Sequence, residues 1–241
     1  MQPTFVLVLG SHASGRRSTA LQRELALRGH RSLAVDLPGH GTAGFSTACE
    51  AQDRAAFTEE PSPMAGITHA DNVAHVAETV RRVRKHGPVI LVGHSRGGFT
   101  VTSVANAVPD LLARTVYVSA WCCVTGTATD YLATPAFRSP DTGAEIVAFR
   151  SALDTDESRD TGTDLIDPAT WGRIPHTYVR LTADTSMPLA LQDHFIEEAD
   201  ALTPGNPFDV HSLPVGHIDP LLRPTGLAEI LAGTADYSDG A

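Results

Sequence analysis

The apolar positions of this chain fall into two alternating patterns. Short unbroken apolar runs at residues 5–9 and 89–92 read as strands buried on both faces, and residues 114–119 and 177–182 read as strands from their β-branched, alternating character. Between such runs, apolar residues return every three or four positions. A helix is predicted over residues 17–28, with Leu21 and Leu25 on one face and Gly29 as its stop. Another opens at Thr68, where Asp71 completes a capping-box pattern, and carries the stripe Val73, Val76, Val80 and Val83. Residues 32–36 and 208–213 add two strands, and further helices are expected at 97–107, 188–201 and 225–232. Repeated strand-helix alternation implies an α/β fold, a mostly parallel sheet with helices on both faces.

Two stretches break the alternation. Residues 42–66, rich in Ser, Thr, Pro and Ala, read as loop. Residues 125–172 hold Pro135, Pro140 and Pro168, an acidic run at 154–157, and scattered large apolar residues. A long irregular segment inside a compact domain is usually functional. It is expected to be a small cap of short helices inserted into one core domain made of residues 1–124 and 173–241. Its residues Tyr131, Phe137, Phe149 and Trp171 are then expected to face a substrate pocket, and the tail after Ala235 is expected to fray.

Composition narrows the classes. The 241 residues suit one α/β domain, and 28 acidic against 18 basic residues leave a net charge of −10. The largest basic cluster, Arg81, Arg82, Arg84 and Lys85, falls at the C-terminal end of a predicted helix, where cations complement the dipole. Both observations argue against a nucleic-acid partner. No apolar run is long enough for a membrane span, and Met1 leads into a strand with no basic leader, so a cytoplasmic protein is expected. Cys49, Cys122 and Cys123 are an odd set without metal-ligand spacing, which reads as reduced thiols and no metal site.

The chemistry concentrates at strand ends. Gly93, His94, Ser95, Arg96 and Gly97 fit G-x-S-x-G, in which a sharp strand-to-helix turn lifts a serine hydroxyl above the sheet. Only glycine suits the flanking positions, because strand and helix pass close together there. Ser95, Asp184 and His217 each follow a predicted strand, the edge at which ligands sit in such sheets. A serine hydroxyl needs a base, so His217 would take its proton, and Asp184 would orient the imidazole. The backbone N–H groups of Arg96 and Ser11 are the candidate oxyanion donors. Gly10, His12, His94 and Ile218 complete the expected pocket. His40, His194 and His211 read as structural or solvated, Asp36 as structural, and no acid directly follows the strand ending at Ser119.

These residues together resemble the α/β-hydrolase superfamily, and within it the plant methylesterase and hydroxynitrile lyase group with its bacterial relatives. The resemblance runs through residues 5–15, through Gly29 and His30, Asp36-Leu-Pro-Gly-His-Gly41, Val92-Gly-His-Ser-Arg-Gly-Gly98, Asp184 with Pro188 and Gln192, and Gly216-His217. It implies a cofactor-free serine hydrolase acting on small esters beneath a cap. Relatives usually carry His-Gly where Leu9-Gly10 stands, and their cap is longer. The cyanohydrin-cleaving branch places threonine at the position of Gly10 and lysine at that of Ile218, so ester hydrolysis is favoured. A thioesterase, lactonase or cyclase acting on a biosynthetic intermediate would use the same residues, and a non-catalytic small-molecule receptor would use the same scaffold. A small ester or thioester is the expected partner, and a homodimer remains open.

Overall fold

A computed structural model of the chain describes residues 1–44, 46–138 and 162–236. Its strands are β1 (Thr4–Val8), β2 (Arg31–Ala34), β3 (Val89–His94), β4 (Arg114–Val118), β5 (His176–Leu181) and β6 (Asp209–Leu213). Its helices are α1 (Thr19–Leu27), α2 (Thr47–Glu50), α3 (Arg54–Glu59), α4 (His69–Arg84), α5 (Gly97–Ala107), α6 (Ala128–Ala133), α7 (Leu189–Leu202), α8 (Asp219–Leu222) and α9 (Thr225–Asp236).

The strands form one sheet in the order β2-β1-β3-β4-β5-β6, and every pairing is parallel. Parallel strands buried on both faces alternate between two cores. Phe5 and Leu7 of β1 pack with Leu21 and Leu25 of α1 and with Leu227 and Leu231 of α9. Val6 and Val8 enter the opposite core with Val76 and Val80 of α4, Val101 and Val104 of α5, and Phe195 of α7. The predicted capping box starts α4: the Thr68 N–H donates to Asp71 Oδ2 at 2.9 Å and the Asp71 N–H to Thr68 Oγ1 at 3.2 Å. Among the described residues no helix is long and apolar enough to cross a membrane.

Strand order reverses between β1 and β3. The chain leaves β1 for β2 on one side and then crosses to β3 on the other. The loops after β1 and β3 therefore diverge and leave a crevice at the carboxyl edge.

Two expectations need correction. Residues 42–66 are not simply loop, since they contain α2 and α3. No residue of α3 is buried, so it has no apolar stripe; the Asp53 carboxylate caps it by accepting from the N–H groups of Ala55 and Ala56 at 3.1 and 3.0 Å. Trp171 is not a pocket wall. It lies just before β5, near the amino end of the strands, fully buried, with Nε1–H donating to the Tyr117 hydroxyl at 2.8 Å. Its ring stacks on His176 at 4.0 Å between centroids, and Phe208 closes the cluster edge-on. Phe149, Pro140 and the acidic run at 154–157 lie outside the described residues.

Burial beneath Trp171 lowers the pKa of His176 to about 4. An unfolded histidine titrates near ~6.5, so the unfolded chain binds the extra proton and stability falls as pH drops from about 6.5 toward 4. His176→Phe, which retains a stacking ring, should remove on the order of 1 kcal/mol per pH unit from the acid dependence across that window. Urea unfolding at pH 7, 6, 5 and 4 checks this; parallel curves for variant and parent would refute it.

Candidate active site

β3 runs into α5 through a turn in which Ser95 adopts φ 56°, the left-handed region. Such a conformation costs a non-glycine residue of order 1–3 kcal/mol and persists only where the surroundings enforce it. Hydrogen bonds from β4, from the loop after it and from α5 do so. The Ser95 N–H donates to Val118 O at 3.3 Å, and the Ser95 carbonyl accepts from Trp121 N–H and Gly98 N–H, each at 3.1 Å.

Close packing fixes the glycines. A Cβ on Gly93 would lie 2.8 Å from Val101 Cγ2, and one on Gly97 would lie 2.4 Å from the carbonyl oxygen of Val8. Gly98, the residue after the motif, is tighter still, with a Cβ 2.1 Å from Trp121 O. A Cβ on Gly10 would meet Ser95 Cβ at 2.6 Å, so the loop after β1 lies directly against the Ser95 turn.

The turn after β5 presents Asp184. Gln192 of α7, fully buried, braces that turn: its Oε1 accepts from Leu181 N–H at 3.0 Å, and its Nε2 donates to Leu181 O at 3.1 Å and Met187 O at 2.8 Å. Asp184 Oδ1 accepts from the N–H groups of Ser186 and Met187 at 2.8 Å each. Its Oδ2 accepts from His217 Nδ1 and from Ser119 Oγ, both at 2.6 Å. Burial would raise the carboxyl pKa, but the hydrogen bond and charge of His217, with the donors Ser119 and Met187, outweigh it and hold it below the ordinary value. Asp184 is thus an anion, and His217 carries its proton on Nδ1.

Nε2 of His217 is left as the basic nitrogen. His217 shares a small chamber of about 10 Å³, room for roughly one water, with Ser95, His94, Gly10, Ser11, Ala13, Ile218 and Leu221. His94 also braces His217: its Nε2–H donates to the His217 carbonyl at 2.9 Å, and the two rings sit 4.7 Å apart. Burial, with His217 beside it, lowers the His94 pKa to about 3, so this imidazole stays neutral.

The structure therefore brings Ser95, His217 and Asp184 to one edge of the sheet, with Ser11, Gly10, His94 and Ile218 around them. Arg96 stands at the N-terminal end of α5 with αR geometry. Tyr131 and Phe137 do not line this chamber. The Tyr131 hydroxyl accepts from Val124 N–H and Thr125 N–H and donates to Glu198 of α7 at 2.5 Å, while Phe137 packs on His194 of α7 at 4.9 Å between centroids. His12, in the turn after β1 with φ 54°, is not among the lining residues either. Sequence reading passed over the bracing roles of Ser119, Gln192 and Gly98, because none carries a chemical motif of its own. Asp36 does have the expected structural role, its Oδ1 accepting from Gly15 N–H at 2.6 Å.

Comparison with known proteins follows the same geometry. The family model described as "Alpha/beta hydrolase family" matches residues 5–230. Among solved structures, the pyrethroid hydrolase PytH superposes with a TM-score of 0.73 at 23% identity, covering 99% of each chain. Polyneuridine aldehyde esterase gives 0.73 at 20% identity over 97% of this chain and 99% of its own. A methylesterase, MES16 from Arabidopsis, gives 0.70 at 20% identity over 98% and 99%. At these identities the likeness is one of fold. None of the curated proteins compared matches the sequence.

The packing at the turn generates a contrast between glycines. Gly98→Ala drives a methyl into backbone and should lower stability by about 1–3 kcal/mol. Gly233→Ala, in α9 where nothing lies within 4 Å, should be neutral or stabilising by up to ~1 kcal/mol. Urea midpoints of the two variants decide it, and equal midpoints would contradict the geometry.

Proposed function

We propose that this chain, which belongs to the alpha/beta hydrolase family, cleaves a small carboxylic ester through an acyl-enzyme formed on Ser95. The observation that carries the reading is the buried Asp184 carboxylate hydrogen-bonded at 2.6 Å to Nδ1 of His217, whose ring shares one chamber with the strained Ser95. That bond assigns the tautomer. With Nδ1 protonated, Nε2 is free to accept the Ser95 proton as Oγ attacks the ester carbonyl carbon. The resulting oxyanion would be held by the N–H groups of Arg96 and Ser11. Collapse of the tetrahedral intermediate breaks the bond to the alcohol oxygen, which takes the proton back from Nε2. Water then attacks the acyl-enzyme with the same base, and the carboxylic acid leaves.

Several observations favour ester hydrolysis over cyanohydrin cleavage. Gly10 has no room for a side chain beside Ser95, and Ile218 offers no cation to the chamber. The fold relatives named esterase, methylesterase and pyrethroid hydrolase make esters the natural substrates to try. In this reading residues 125–172 act as the cap that selects the substrate. The two buried free thiols, Cys122 and Cys123, suit a reducing cytoplasm.

Ser95→Ala should abolish hydrolysis of short p-nitrophenyl esters and covalent labelling by a fluorophosphonate, with an unchanged circular dichroism spectrum; retained turnover would place the nucleophile elsewhere. Asp184→Asn should lower turnover by on the order of 10³- to 10⁴-fold, the scale of a lost tautomer. A near-neutral Asp184→Asn in the same assay would assign the orienting acid to another residue.

A further inference from the structure

Ser119, the first residue after β4, carries chemistry that the hydrolytic scheme above does not use. It is fully buried and held at φ 39°, a left-handed backbone that a serine adopts only under constraint. Its N–H donates to Val179 O at 2.9 Å, which anchors it to β5, and its Oγ donates to Asp184 Oδ2 at 2.6 Å. That oxygen is the one His217 Nδ1 also uses. The neighbours of Ser119 hold the nucleophile: Val118 O accepts the Ser95 N–H, and the Trp121 N–H donates to Ser95 O. Residues 118–121 thus grip the Ser95 backbone on both sides while placing a hydroxyl on the acid.

We propose that Ser119 is a positioning residue for the proton-transfer pair, fixing the Asp184 carboxylate so that its Oδ2 faces His217 and limiting the charge that oxygen presents to the imidazole. The proposal rests on the Ser95, His217 and Asp184 reading. Oδ1 is already saturated by two backbone donors, so Oδ2 is the oxygen free to respond. With two donors on Oδ2, its negative charge is shared. Removing the hydroxyl leaves His217 as its sole side-chain donor among the described residues, which strengthens the hold on the proton that the base must later release. The titratable groups around the pair are His217 itself, His94 from β3 and Tyr178 from β5, each electrostatically coupled to Asp184.

The test compares Ser119→Ala and Ser119→Gly with the parent on a short p-nitrophenyl ester. Glycine suits φ 39° and so removes the hydroxyl while relieving the backbone. Both variants should lose about tenfold in kcat, the scale of one hydrogen bond to a charged group, with KM unchanged. The acid limb of their kcat/KM profile should move to higher pH, which a merely structural defect would not produce. In an Asp184→Ala background the Ser119→Ala change should cost nothing further, since its partner is gone. Parent-like kcat and pH profile in Ser119→Gly, a rise confined to KM, or an equal loss with and without Asp184 would each overturn the proposal. Activity surviving Ser95→Ala would instead overturn the hydrolase reading on which it rests.

Discussion

The close approach of β3, α5 and the loop after β4 is the constraint on which the site depends. Three glycines, Gly93, Gly97 and Gly98, let the backbone of α5 pass within contact of β1 and of Trp121. Any side chain there would force the helix away. Because the helix is that close, the chain must reverse over Ser95, and reversal in so little space selects the left-handed conformation at φ 56°. The strain is offset by the three backbone hydrogen bonds that Ser95 makes. The conformation of Ser95 is thus a consequence of packing several residues away, and the same packing sets the start of α5, at Gly97, two residues beyond it.

A second constraint is electrostatic. A carboxylate buried as deeply as Asp184 costs several kcal/mol unless hydrogen bonds replace its water. It accepts four, two to each oxygen, from Ser186, Met187, His217 and Ser119. The acid turn cannot supply them alone, since the donors come from three segments: the turn itself, the end of β4 and the loop after β6. Gln192 adds a fourth element by tying α7 to both ends of the turn. The pair therefore exists only in the finished fold, and the geometry that fixes the imidazole tautomer also ties the last strands of the sheet together.

The parts that were legible in the sequence are those whose signal is local. Unbroken apolar runs marked the strands, the Thr68 and Asp71 pair marked the start of α4, and the spacing of Gly93, Ser95 and Gly97 marked the turn. Asp184 and His217, which the structure pairs, were singled out because a strand end is a position along the chain as well as in space. Helix α2 was missed because it is a single turn, Thr47–Glu50, and α3 because it buries no residue, whereas periodicity reports burial rather than helix. Trp171 was misplaced for the opposite reason. Its size and its setting in an irregular stretch suggested a pocket wall, yet the partners that bury it are distant in sequence: Tyr117 of β4, His176 of β5 and Phe208 just before β6. Ser119 was noted only as a strand end lacking an acid. Its hydroxyl nevertheless reaches the acid supplied by the neighbouring strand, a contact that depends on β4 pairing with β5.

The two imidazoles at the centre show how the fold assigns different work to one residue type. His94 and His217 lie 4.7 Å apart, and two positive charges at that distance in a buried site would repel strongly. Their partners separate them. Nε2–H of His94 faces a backbone carbonyl, which accepts from the neutral ring without any need for charge, and burial brings its pKa to about 3. Nδ1 of His217 faces a carboxylate, which stabilises a positive ring as soon as one forms. The His94 ring instead serves as a strut on the backbone of His217, through its bond to the His217 carbonyl. Substituting either partner would blur that division, because histidine takes its role from what its two nitrogens face.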